Sequence, residues 1–222
     1  MRLAINAIST KMGGAATYLS NGLLPILAEL EPVLQWPVIL WGGASFERLD
    51  VRRKQLDMRI NAAASRGGLA RLVFDHIELP GALARDRVDV LFSTTNIGPL
   101  RLRCKHALLV RNAAPFSDLY LSRMPNLKIR MRLRMTRWLI DQSLSRAHLV
   151  IFPSAAMRDA AMGTAKKDTP DVILAPYGTR HDLFFPSRES FSRADRELRV
   201  LNVSYYSDQK NLGALRRHRR QF

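Results

Sequence analysis

Five short segments carry side chains suited to gripping a charged or hydroxyl-rich ligand. Gly13-Gly14 lies between an apolar run at 3–8 and a periodic stretch at 15–29. Adjacent glycines let the backbone take positive φ and come close to a ligand, and the unpaired N–H groups of a helix starting there favour phosphate or another electronegative group. The G-x-G-x-x-G dinucleotide pattern is absent, so a tight connection without a ligand fits the pair equally well. Arg111-Asn112-Ala113-Ala114-Pro115-Phe116 follows the apolar run 107–110. Its polar pair ahead of a proline suits sugar hydroxyls or a phosphate, and suits a plain solvent-facing turn as well. Phe152-Pro153-Ser154-Ala155-Ala156-Met157-Arg158 and Leu174-Ala175-Pro176-Tyr177-Gly178, the latter running on to Phe184-Phe185-Pro186, have turn chemistry at the ends of apolar runs. Lys210, in Gln209-Lys210-Asn211-Leu212, is a cation just beyond another apolar run.

The elements that must position these residues follow from periodicity. Short, β-branched apolar runs at 3–8, 38–41, 88–92, 107–110, 149–152 and 172–174 alternate with longer helical stretches, the pattern of βαβ units around a parallel sheet. Runs this apolar fit strands covered by helices on both faces. Helices are expected at 15–29, 127–147 and 154–162, the last opened by the Ser154 N-cap. A weaker one at 67–84 is expected to break at Pro80-Gly81. The fold class is therefore α/β, with a Rossmann-like parallel sheet over 1–177. In such a sheet ligands gather beyond the carboxyl ends of the strands, where the Arg111 loop belongs. Residues 178–197 read as a linker, and 198–222 as the opening strand and helix of a second, truncated domain.

The balance of 47% hydrophobic and 24% charged residues is that of a globular chain rather than a disordered one. A lone cysteine, Cys104, rules out an internal disulfide and any cysteine-based metal cluster. Asn6 and Ser9-Thr10-Lys11 interrupt the N-terminal apolar run too early for a secretion signal, and no stretch reaches the length of a membrane span, so a cytoplasmic protein is expected. The formal charge of +16 points to polyanions, phosphorylated ligands or anionic lipid, or to an arginine-biased genome. Within 127–147, Lys128, Arg130, Arg132, Arg134 and Arg137 alternate with Ile129, Met131, Leu133, Met135 and Trp138. That helix suits peripheral contact with an anionic membrane, or is a domain helix with a solvated basic face. The arginine cluster at 216–220 has no accompanying nucleic-acid motif, so a nucleic-acid partner is not expected.

Taken in order, these segments resemble the retaining glycosyltransferases of family 4, which have the GT-B fold. The resemblance rests on the Gly13-Gly14 loop with its leucine-patterned helix, the serine-led helix at 152–158, the Pro176-Tyr177-Gly178 and Phe185-Pro186 crossing, and the strand and basic loop at 200–212. It implies two Rossmann-like lobes facing across a cleft, the acceptor on the N-terminal lobe and a nucleoside-diphosphate sugar mainly on the other. It implies hexosyl transfer with retention to a polysaccharide or lipid-linked acceptor, with no cofactor and no essential metal. Lys210 matches the family's donor-diphosphate lysine, while Gly13, Gly14, Arg111 and Asn112 fall on the acceptor and phosphate loops. Asn112 stands where many members have a histidine, and Ser204 or Tyr205 where an arginine commonly precedes the lysine. The family's paired glutamates would fall after Phe222, so the 222 residues are expected to be inactive by themselves. A noncatalytic Rossmann-like binding module and a basic nucleic-acid-binding protein are the alternatives from other classes.

Overall fold

Strands that read as unbroken apolar runs form the centre of a sheet packed on both faces, whereas the apolar run at 172–174, expected to be covered, is exposed at the sheet edge. The computed structural model describes residues 1–10, 14–46, 56–122, 126–163 and 170–178. Seven strands, β1 (Leu3–Ala7), β2 (Val38–Gly42), β3 (Leu56–Ile60), β4 (Val90–Ser93), β5 (Lys105–Leu109), β6 (Leu149–Phe152) and β7 (Asp171–Leu174), lie in the order β3-β2-β1-β4-β5-β6-β7. Every pairing is parallel. The chain winds outward through β2 and β3, then returns to the far side of β1, so the winding reverses between β1 and β4.

Successive side chains alternate between faces, and the cores follow. On one face Ile5, Ala7 and Leu40 pack with Leu19, Leu24 and Phe46, covered by α1 (Gly14–Thr17), a π turn (Tyr18–Leu23) and α2 (Leu24–Leu34). On the other, Ala4, Ile8, Ile39 and Leu91 meet Phe74, Leu79 and Leu83, from a π turn (Phe74–Glu78) that joins α3 (Gly68–Val73) to α4 (Leu79–Arg85). Leu108 and Val150 continue this second face against Ile140, Leu144 and Ala161, carried by α6 (Leu127–Leu144) and α7 (Ala155–Met162). A short α5 (Asp118–Ser122) precedes α6. Asn126 and Ser154 cap α6 and α7, accepting from the N–H groups of Lys128 and Met157.

Two further expectations change. Pro80 does not break its helix, which runs from Gly68 to Arg85 through the π turn. Leu79, the residue before the proline, donates to the Phe74 carbonyl five residues back. Leu24, before Pro25, likewise donates to the Leu19 carbonyl. A proline ring clashes with the carbonyl four residues earlier, and a widened turn is the local adjustment that lets the helix continue. The other change is β3, a strand whose Leu56-Asp57-Met58-Arg59-Ile60 alternation carries too much charge to read as buried. It lies at the sheet edge, where Leu56, Met58 and Ile60 join the core while Arg59 crosses Trp41 at 5.3 Å and pairs with Asp57 and Asp86.

Among the described residues no helix is long and apolar enough to cross a membrane. Met1–Tyr177 form one compact unit. Apart from Gly178, the linker and the second-domain strand and helix expected over 178–222, with Lys210, lie outside the described residues. So does Gly13.

Candidate functional site

The reversal of winding between β1 and β4 leaves the carboxyl edge of the sheet open there, the general place for ligands in open parallel sheets. The first loop residues after β4 fix the neighbouring loop. Thr94 reaches back to the Asn6 carbonyl through both its N–H (3.2 Å) and its hydroxyl (3.0 Å). Asn96, nearly buried, accepts from the N–H groups of Arg111 (2.9 Å) and Asn112 (3.1 Å) and donates to the Asn112 carbonyl (2.8 Å). Three bonds from one amide thus hold the start of the loop that follows β5.

That clamp directs Arg111 toward two tyrosines from distant parts of the chain. Its guanidinium carbon lies 5.9 Å from the ring centroid of Tyr18, in the first π turn, and Tyr177, just after β7, is near enough to act on its charge. The two rings are 5.6 Å apart and tilted by 58°. Burial pulls the Arg111 pKa down and the nearby tyrosines push it back up. An arginine remains charged under any such shift of ordinary size. Burial raises both phenols, so they stand as neutral hydroxyls at neutral pH. The Nη1 of Arg111 is buried with no partner among the described residues. A buried donor without a partner costs about 1–3 kcal/mol. A planar guanidinium over the Tyr18 ring, with a buried donor unpaired among the described residues, suits a phosphate or carboxylate oxygen, and the two phenols offer hydroxyls to a polyol.

The other expected site residues fall in different roles. Gly14 is the first residue of α1, and a Cβ added to it meets nothing within 4 Å, so packing does not demand glycine there. The exposed side chain of Asn112 closes its own turn, accepting from the Ala114 N–H at 3.1 Å. Lys128, Arg130, Arg132, Arg134 and Arg137 all lie on α6. Arg130, Arg134 and Arg137 line a cavity of about 490 Å³ between α5 and α6, with Asp118, Trp138 and Asp141. Arg137 pairs with Asp118 at 2.9 Å. The cavity shares no lining residue with the tyrosine cluster. Among the described residues no three His, Cys, Asp or Glu side chains are grouped to hold a metal ion.

Behind the switch point runs a polar chain that the sequence does not announce. Asn6 donates to the fully buried Asp75 at 2.8 Å, Arg71 pairs with the other oxygen of Asp75, and Arg71 also donates to the Thr95 hydroxyl at 3.1 Å. Burial raises the Asp75 pKa against the lowering influence of Arg71 and Asn6. Nearby, the buried His106 ring meets the Ser93 hydroxyl at 3.0 Å. Asn6, Arg71 and Asp75 are scattered polar residues in apolar or helical contexts, and only their meeting across β1 and the second π turn makes them a unit.

No protein-family model and no curated protein matches the chain. Fold and edge geometry together define an open, all-parallel Rossmann-like α/β protein with a cationic, tyrosine-flanked corner at the carboxyl ends of its strands.

Proposed function

We propose that the chain is the acceptor-side lobe of a retaining glycosyltransferase that draws hexose from a nucleoside-diphosphate sugar. The order of motifs along the sequence supports the reading, as does a sheet whose winding reverses at β1. The observation that carries it is the corner where Arg111 meets Tyr18 and Tyr177. Sugar acceptors offer hydroxyls, and lipid-linked ones offer phosphate; a fixed guanidinium with a donor to spare neutralises the phosphate while the phenols orient the hydroxyls. Positioning of this kind converts binding energy into a productive approach of acceptor to donor. On this reading Lys210 contacts the donor diphosphate, where a cation offsets charge growing on the leaving group.

The test joins the chain to the coding sequence downstream of Phe222 and supplies a panel of nucleotide sugars with polysaccharide and lipid-linked acceptors. The reading predicts release of nucleoside diphosphate together with glycosylated acceptor. Consumption of no donor in the panel contradicts it.

A further inference from the structure

Only the C-terminal end of α6 is packed. Its buried residues are Leu139, Ile140, Ser143 and Leu144, and none comes before Leu139. The preceding turns nonetheless carry large apolar side chains in water: Leu127 is 63% exposed, Met131 65%, Met135 52% and Trp138 55%. At about 3.6 residues per turn these four fall within about an 80° arc, a stripe about 16 Å long. Arg130, Arg134 and Arg137 lie along one side of that arc, and Lys128 and Arg132 along the other. An apolar stripe flanked on both sides by cations differs from a solvated basic face, which would place its apolar residues against the core.

We infer that the N-terminal three turns of α6 lie in the surface of an anionic phospholipid bilayer, with Leu127, Met131, Met135 and Trp138 among the acyl chains and the flanking cations at the headgroups. Charge complementarity selects this occupant. A nucleic-acid backbone would satisfy the cations but leave the stripe in water. A second copy of the chain would bring two cationic borders together. An anionic bilayer meets both demands, and long arginine and lysine stems reach headgroups while their carbons stay in the interface. The inference stands on α6 alone and not on the glycosyl-transfer reading.

The experiment is co-sedimentation of the full chain with vesicles of phosphatidylcholine alone or containing about 30 mol% phosphatidylglycerol, in roughly 0.15 M salt. Expected is at least tenfold stronger partitioning to the anionic vesicles, with Trp138 emission quenched by brominated acyl chains and the quenching lost in W138F. M131Q/M135Q/W138Q should weaken partitioning at least tenfold, and K128Q/R132Q/R134Q should remove the preference for anionic lipid. All six side chains are exposed, so thermal melts of both variants should match the wild type and separate loss of binding from loss of fold. The inference is overturned if the wild type ignores anionic vesicles, if the apolar variant still partitions normally, or if the stripe instead drives self-association or is masked by a nucleic-acid duplex.

Discussion

Arg111 is held at its backbone by Asn96, and its head lies over the Tyr18 ring and near Tyr177. Its segment was legible in the sequence because a polar pair follows an apolar run. Its partners were not, because they come from opposite ends of the described chain and meet only once the sheet is assembled. Gly98 illustrates the same limit. A Cβ there would sit 2.4 Å from Cε1 and 2.6 Å from Nε2 of the buried His106 ring, so Gly98→Ala should destabilise by about 1–3 kcal/mol, read by urea unfolding. His106 also sets a pH dependence. Burial, helped by His148, lowers its pKa from 6.5 to about 4. Between those values the unfolded chain binds a proton that the folded chain refuses, so stability falls as pH drops through the window, by roughly 3 kcal/mol in full. Asp75 works in the opposite sense: its raised carboxyl favours the folded state on the acid side, a contribution lost as pH rises beyond the ordinary carboxylate range. Comparing wild type with His106→Gln isolates the imidazole. The stability difference between them should narrow from pH 7 to pH 4, and a constant difference would contradict the assignment.

At the scale of elements, periodicity revealed most strands and the long helices, since burial on both faces leaves apolar runs that turn residues punctuate. It missed β3 because an edge strand shares its charged face with solvent. It stopped a helix at Pro80 because a π turn leaves no mark in composition. The second π turn also carries Asp75 to Asn6 and Arg71. Removing a buried carboxylate strands its cation, a loss that usually costs about 3–5 kcal/mol. Asp75→Ala should therefore lower the unfolding free energy by that order, while Arg71→Met/Asp75→Leu should recover a large part of it. Equal losses in the single and double variants would mean that packing, and not the ion pair, holds the helix to β1. The N-terminal turns of α6 are the converse case, an amphipathic stretch whose apolar side is exposed and finds no burying partner among the described residues.

Over the whole molecule, the sheet order places the Arg111 corner at the carboxyl edge, and the cavity beside α6 shares no lining residue with it. On the proposed readings, the corner takes an acceptor and the N-terminal turns of α6 an anionic membrane. A charge of +16 favours encounter with anionic surfaces at both places. The α/β class was legible because alternation of strand and helix is a property of the whole chain; the use of the corner was not, because it depends on one guanidinium and two phenols converging. The most direct measurement is kcat/KM for acceptor in Arg111→Ala and Arg111→Lys, made in the same extended protein as the proposed glycosyl-transfer test. A drop of tenfold or more is expected in both, since lysine keeps the charge but loses the planar fork, with melting temperatures close to wild type. Unchanged kcat/KM in well-folded variants would contradict the role proposed for Arg111.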